Sequence, residues 1–494
     1  MTDHDTGPDL APVRFLLGGV AVELKDADPT LTLLDYLRET AGRKGTKEGC
    51  AEGDCGACTV VVAEPGQERL RYRPVNACIQ FVGALHGKQV LTVEDLKAPD
   101  GSLHPVQAAM VETHGSQCGF CTPGFVMSLF ALYRQGARIG RRGINDALAG
   151  NLCRCTGYGP IVAAAERMWD APGSDDHLAG SESGVVEALA AMANTQCPGL
   201  EQGARRLLSP RNADQLAALL VADPEAVLLA GGTDVGLWVT KQGRRPETLI
   251  HTGRVAELGR IEETAQALTI GAAVRLTEAA QAIGALYPDF AEVFRRYGSV
   301  QVRNAGTLGG NVANGSPIGD APPGLIALGS EMTLRRGTER RRIAVEDFFI
   351  DYGKQDRQPS EFIESILVPK PQPGRLFRMF KIAKRFDQDI SAVCAAFALR
   401  LANGAVQEAR VAYGGMAGTP KRARACEAAL VGRAWTEETV RAAMAALAED
   451  FTPLTDMRAS AWYRLEIAGN LLLKVYLDSL HERPPAGVLD CEAA

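Results

Sequence analysis

The chain has no surplus of positive charge. Its 53 Lys and Arg are outnumbered by 59 Asp and Glu, a formal net charge of −6. That argues against a nucleic-acid or anionic-membrane partner, since both require clustered cations. One short basic group, Arg134, Arg138, Arg141 and Arg142, reads as a solvated helix end. No run approaches the ~18 apolar residues of a transmembrane helix. The opening MTDHDTGPDLAPVRF is acidic and lacks the apolar core of a secretory signal, so a cytoplasmic protein is expected. No G-x-G-x-x-G follows a strand-like run, and no Walker A sequence occurs. Neither a Rossmann nor a P-loop nucleotide site is therefore announced. Internal repeats and low-complexity tracts are absent as well.

Cysteine, by contrast, is plentiful. There are twelve. Structural disulfides are rare in a cytoplasmic protein, so metal binding is the leading explanation. Cys50, Cys55 and Cys58 form C-x4-C-x2-C, and Cys78 follows at a distance. This is the plant-type ferredoxin spacing for one 2Fe–2S cluster. Cys118 and Cys121 lie in QCGFCTPG, and Cys153 and Cys155 in NLCRCTGY, which supplies four more thiolates. Gly49, Gly53 and Gly56 let the chain curl with N–H groups pointing at sulfur. C-x2-C pairs also occur in structural zinc sites, but the x4 spacing and the tight C-R-C suit a zinc ribbon poorly. Two one-electron centres side by side imply a wire. Cys394 lies in an apolar run and reads as core. Cys197, Cys426 and Cys491 read as surface or incidental.

At 494 residues the chain should hold roughly three to four domains. Residues 13–24 read as a hairpin around Gly18-Gly19, residues 30–39 as a helix, and TVVVA, RLRYR and KQVLTV as strands. Together they suggest a β-grasp domain over 11–94. Four helical segments follow over 95–171, with proline at helix starts and glycine at stops. Each cysteine pair of the second set falls just before a helix, where free N–H groups suit an anionic cluster. Residues 172–204 mix Gly, Ser and Asp with one short helical patch and read as an interdomain linker. Residues 205–375 mix helix and strand, with 303–324 expected as a long loop. A further α+β pattern occupies 376–490. The fold class is thus multidomain α+β.

Two glycine-rich stretches stand out in the third region, LLAGGTDVG (228–236) and NAGTLGGNVANGSPIGD (304–320). Without Cβ atoms, such loops let backbone N–H groups approach a pyrophosphate. Taken alone, Gly-rich loops are more often turns.

The order of GCAEGDCGAC, QCGFCTPGFVMS, NLCRCTGY, LLAGGTDVG and TLGGN…GSPIGD resembles the xanthine oxidase family of molybdenum hydroxylases. The likeness is to the iron–sulfur/flavin small subunit of two-subunit bacterial members, and it covers about two-thirds of the chain. The resemblance implies a β-grasp 2Fe–2S domain, a four-helix 2Fe–2S domain and a two-part FAD-binding domain of the vanillyl-alcohol-oxidase type with an α+β C-terminal domain. FAD would be held by Leu228, Ala230, Gly231, Gly232, Thr233, Asp234, Thr307, Gly310, Asn311, Asp320, Leu367 and Lys381. Gln117 and Cys155 match positions that touch molybdopterin. The molybdenum-binding domains are missing here and would form a separate large subunit, in an α2β2 heterotetramer. Electrons from purine hydroxylation would pass through the helical-domain cluster, the β-grasp cluster and FAD to NAD.

Tyr352 and Asp389 match the NAD region, against the alternatives of a packed aromatic and a surface carboxylate. The surrounding FFIDYGKQ and KRFDQDIS depart from the animal pattern. No acid–base pair for the hydroxylation is expected on this chain. The alternatives are the equivalent subunit of a hydroxylase for aldehydes, carbon monoxide or another heterocycle, a stand-alone NADH-dependent diaphorase or ferredoxin reductase, and a zinc-stabilised scaffold.

Overall fold

A computed structural model describes residues 10–170 and 176–480. It divides into two compact units. The first runs to Gly259 and includes Arg275–Thr277 and Gly298–Thr307; the second comprises Arg260–Val274, Glu278–Tyr297 and the chain from Leu308 on. Among the described residues, no helix is long and apolar enough to cross a membrane.

The first unit is organised by one nine-stranded sheet. Its strands are β1 (Ala11–Leu17), β2 (Val20–Leu24), β3 (Thr59–Pro65), β4 (Leu70–Asn76), β5 (Gln89–Leu91), β6 (Pro198–Gln202), β7 (Arg205–Leu208), β8 (Val227–Leu229) and β9 (Thr248–His251). The order is β4-β3-β5-β1-β6-β7-β9-β8, with β2 paired to β1. The expected hairpin forms, with Val13 opposite Leu24 and Leu17 opposite Val20. Alternation along β1 sends Val13, Phe15 and Leu17 into a core with Leu33, Leu37, Val60, Val62 and Phe81. That core continues into Leu200, Leu207, Leu229 and Leu249, so the cysteine-bearing sheet and the later strands share one interior. Each such side chain contributes about 1.5–3 kcal/mol by leaving water.

The four expected helices are present as Pro105–Glu112, Thr122–Tyr133, Arg141–Leu148 and Gly159–Arg167. Pro105, Pro123 and Pro160 stand in their first turns, where a missing N–H costs nothing. Thr122–Tyr133 is buried from Gly124 to Tyr133 and is the central helix of this region, which explains its almost unbroken apolar sequence.

Three expectations are corrected. The span 172–204 is not a bare linker. It carries the helix Glu182–Ala193 and strand β6. Leu189 of that helix packs on Leu16, Ala63 and Leu70, and Pro198 and Gly199 of β6 pair with Ala11 and Pro12 of β1. The short helical patch seen in the sequence is thus part of an ordered segment packed on the sheet. The span 303–324 is not one long loop either. Helices Val300–Ala305, Leu308–Ala313 and Ala321–Leu328 occupy most of it, because tertiary packing buries Gly309, Pro322, Pro323 and Gly324. Finally, Arg134 is no solvated helix end. Its guanidinium is largely buried and pairs with Asp176 at 3.1 Å and Glu182 at 2.7 Å. Arg138 and Arg141 are exposed, as expected.

The second unit holds two larger sheets. One is a five-stranded antiparallel sheet that orders Ile261–Glu263, Ala267–Gly271, Phe362–Pro369, Glu331–Arg336 and Glu339–Ala344. The other is an antiparallel meander of Arg375–Ile382, Val393–Ala402, Ala405–Gly414 and Lys421–Arg422. Helices Arg424–Leu430, Glu437–Asp450 and Ala461–Ser479 share one core with the meander.

Candidate functional site

The first four cysteines converge at one end of the β-grasp region. Cys50, Cys55 and Cys58 come from the loop before β3, and Cys78 from a short helical turn after β4. The Cys50 sulfur faces the thiols of Cys55 and Cys78, and Cys58 faces Cys78. Hydrogen bonds from the neighbouring thiols drive the Cys50 thiol far down and leave Cys55 and Cys78 far up. The backbone N–H groups of Asp54 and Cys55 aim at the Cys50 sulfur from 3.4 and 3.3 Å. Four thiols sharing charge this way, inside a cradle of N–H donors, fit an anionic iron–sulfur cluster.

The second four come from two loops. Cys121 caps the helix Thr122–Tyr133, and Cys153 and Cys155 precede Gly159–Arg167. The contacts are pairwise, Cys118 with Cys155 and Cys121 with Cys153. The Phe120 N–H, and then the Cys155 thiol, hold the Cys118 thiol below its usual range. Burial, then Cys153, pushes Cys121 up to about 12. Cys118 and Cys155 are exposed. Among the described residues, no group of three or more His, Cys, Asp or Glu is arranged around a single ion.

The nests meet through backbone. The Leu152 N–H donates to the Cys55 carbonyl at 3.0 Å. Gly56, at φ +70°, has no room for a side chain: a Cβ there would lie 2.2 Å from the Gly150 carbonyl. A Cβ on Gly124 would lie 2.2 Å from the Gly56 carbonyl.

The first glycine loop lies against the first nest. Cβ atoms on Gly232 and Gly236 would stand 2.8 and 3.0 Å from the carbonyl of Ile79, the residue after Cys78. Lys241, just past the following helix, donates to the Cys50 carbonyl. Gly231 is required by contact: its Cβ would sit 1.9 Å from the Ala305 carbonyl. Gly231 and Thr233 thus lie against the backbone of Ala305 and Gly306, just before Thr307, while Leu228, Ala230, Gly232 and Asp234 flank them in the chain. Arg275, bridged to Thr307, pairs with Glu64 of β3 at 2.5 Å.

Gly310, Asn311, Asp320, Leu367 and Lys381 belong to the second unit. Lys381 and Asp320 are paired with each other at 2.6 Å, and Ser391 joins both. All three are buried. Asn311 donates to the Tyr297 hydroxyl at 2.9 Å, while its Oδ1 is buried with no partner. Within this unit, a buried acceptor without a partner fits the polar edge of a flavin nucleotide. Leu367 is half-buried within its strand.

Tyr352 stands at a hairpin tip with 74% of its surface exposed, which rules out the packed-aromatic alternative. Asp389 accepts from Arg385. Gln117 is exposed beside Cys118. Cys394 is buried as expected. Cys426 is also buried, on the helix Arg424–Leu430, so its surface assignment is corrected: it faces the core under the meander. Cys491 lies outside the described residues. Sequence reasoning missed Asn151, Gln301, Ser128 and Thr59, a buried polar group joining both nests. Asn151 lies inside the NLCRC motif; nothing local marks Gln301.

Comparison with known proteins agrees with this layout. Residues 15–82 match the 2Fe-2S iron-sulfur cluster binding domain, and 92–166 the [2Fe-2S] binding domain. Residues 202–371 match the FAD binding domain in molybdopterin dehydrogenase, and 378–479 the CO dehydrogenase flavoprotein C-terminal domain. The chain is 31% identical to a xanthine dehydrogenase/oxidase of Gallus gallus, over 98% of its own length and 41% of the relative's. It is 32% identical to aldehyde oxidase 2 of Cavia porcellus, over 97% and 40%. It therefore spans about two-fifths of the length of these curated relatives. Among solved structures, a chain of carbon monoxide dehydrogenase from Hydrogenophaga pseudoflava aligns at 31% identity and TM-score 0.52, covering 54% of this chain and 93% of that one.

Fold and motifs together define a redox protein with two 2Fe–2S domains and one FAD-binding domain. The cysteine nests and the glycine loops follow one another in the same order as the matched domains. The chain belongs to the molybdenum hydroxylase family, on its iron–sulfur and flavin side.

Proposed function

We propose that this chain is the electron-transfer subunit of a xanthine dehydrogenase, taking electrons from purine hydroxylation on a separate molybdenum-binding subunit and delivering them to NAD. The observation that carries this is a single file within the first unit. Exposed Cys155 and Cys118 stand at one end, the Leu152–Cys55 hydrogen bond joins the nests, and Ile79 beside Cys78 touches the first glycine loop.

When bound, the clusters supply one-electron and the flavin two-electron exchange, the conversion a nicotinamide acceptor requires. Cys50, Cys55, Cys58 and Cys78 would hold the inner cluster, and Cys118, Cys121, Cys153 and Cys155 the outer one. The residues of the two glycine loops, with Leu367 and Lys381, would hold FAD. Gln117 and Cys155 would face the partner's molybdopterin, and Tyr352 and Asp389 the nicotinamide. The assembly would be an α2β2 heterotetramer in the cytoplasm. Asp320 and Lys381 neutralise one another, so Lys381 presents a positioned ammonium without an uncompensated buried charge.

A second reading, the same role for an aldehyde-oxidising partner, is favoured by the equal likeness to an aldehyde oxidase. Anaerobic assay of the co-expressed complex separates them. Xanthine with NAD should bleach the flavin and then produce NADH. A flavin that stays oxidised with xanthine but responds to an aldehyde would replace the first reading with the second.

A further inference from the structure

Four polar side chains that neither nest nor flavin loop uses are buried together in the first unit. Thr59, Ser128, Asn151 and Gln301 are each no more than 3% exposed. Their protons run in one direction. The Ser128 hydroxyl donates to Asn151 Oδ1 at 2.6 Å. The Thr59 hydroxyl donates to the Gly56 carbonyl at 2.7 Å. Asn151 Nδ2 donates to that same carbonyl at 3.1 Å and reaches Thr59 Oγ1 at 3.3 Å. Gln301 Nε2 holds the set from behind, 3.2, 3.2 and 3.1 Å from Thr59 Oγ1, Ser128 Oγ and Asn151 Oδ1. The Thr59 backbone N–H adds a third bond to the Gly56 carbonyl at 3.1 Å.

The Gly56 carbonyl and the Ala57 N–H are two ends of one peptide. At its other end, that N–H lies two residues past Cys55 and works to lower the Cys55 thiol against Cys50 and burial, which raise it. Three donors on the oxygen polarise the peptide and strengthen the N–H as a donor. Hydrogen bonds to cluster sulfur help set a cluster's potential, because they favour the more negative, reduced form. A merely structural role explains this group poorly. Gln301 Oε1 is left buried without a partner, and an apolar core of the same shape would avoid that cost.

We propose that Thr59 and Asn151, held in place by Ser128 and Gln301, are positioning residues that polarise the Gly56–Ala57 peptide and so raise the reduction potential of the inner cluster through Cys55. The proposal rests on Cys55 being a cluster ligand. Asn151 lies two residues before Cys153, so the inner nest's potential is tied to the backbone that shapes the outer nest.

The test is a redox titration of the full-length chain with both clusters assembled, each followed by its own electron paramagnetic resonance signal. Thr59→Val is isosteric and removes only the hydroxyl. It should lower the inner midpoint, so that at fixed ambient potential the reduced-to-oxidised ratio falls about tenfold, or 59 mV for one electron. The outer midpoint should stay in place, and Thr59→Ser should restore the inner one. Asn151→Ser repeats the test independently and should shift the inner midpoint the same way. An unchanged inner midpoint in Thr59→Val or Asn151→Ser with both signals intact, or an equal shift in Thr59→Ser, overturns the proposal. Absence of the inner signal from the unsubstituted chain overturns the ligand assignment beneath it as well.

Discussion

Cys58 and Cys78 are each 2% exposed and pack within the sheet core, whereas Cys118 and Cys155 are exposed at the other nest. Chemistry of one kind is thus placed in two environments. The inner nest is built from the same residues that fold the β-grasp region, so metal binding and folding are coupled there. The outer nest sits at helix termini, where Cys121 and Cys153 only border the helical core and Cys118 and Cys155 are exposed. The proposed electron relay is served by this asymmetry, with one nest shielded beside the first glycine loop and the other exposed.

The largest effect should come from breaking the inner nest. Cys78→Ser should lose its cluster and destabilise the chain by about 3–5 kcal/mol. Cys118→Ser should lose only the outer cluster, at a cost below about 1 kcal/mol. Iron content with thermal denaturation checks both, and equal losses would erase the contrast.

Acid should sharpen it next. His86 accepts from the Arg14 N–H at 3.1 Å and meets the Met192 carbonyl at 2.8 Å, joining β1 to the helix Glu182–Ala193. Burial, with Arg254 and Arg14 nearby, lowers its pKa to about 4. The neutral form is favoured in the folded state. Its contribution is therefore full above about 6.5 and is lost as pH falls from 6.5 toward 4, at most about 3 kcal/mol. In the helical region, Asp176 has its pKa lowered: burial raises it, but His104 and Arg134 outweigh burial. Its contribution survives until pH falls below the ordinary carboxylate range. Hydrogen exchange should thus show the sheet side loosening first between pH 6 and 4. His86→Gln should remove the pH dependence.

The smallest effect should come from the seam between the nests. Gly124→Ala places a methyl 2.2 Å from the Gly56 carbonyl and should cost about 1–3 kcal/mol while broadening both clusters' resonance signals. Gly140→Ala, with open space around it, should change stability by less than about 0.5 kcal/mol.

Much of this was legible in the residues. Cysteine spacing marked the two sets of thiols that the structure brings together, and Pro105, Pro123 and Pro160 marked helix starts because proline's cost is local. What escaped was long-range. The helix Glu182–Ala193 showed only as a short patch in a linker, because its order comes from Leu189 meeting Leu16 and Leu70. Glycines and prolines between 303 and 324 suggested a loop where packing imposes three helices. Arg134 looked solvated because its partners Asp176 and Glu182 are over 40 residues away. Gln301 reaches Thr59 across 242 positions, beyond any local pattern.

The most direct test is electron paramagnetic resonance of the anaerobically purified, chemically reduced full-length chain, with iron and flavin quantified on the same sample. Two distinct 2Fe–2S signals, with about four irons and one FAD per chain, are predicted. A colourless protein holding zinc, or a single cluster signal shared by all eight cysteines, would contradict the two-nest wire.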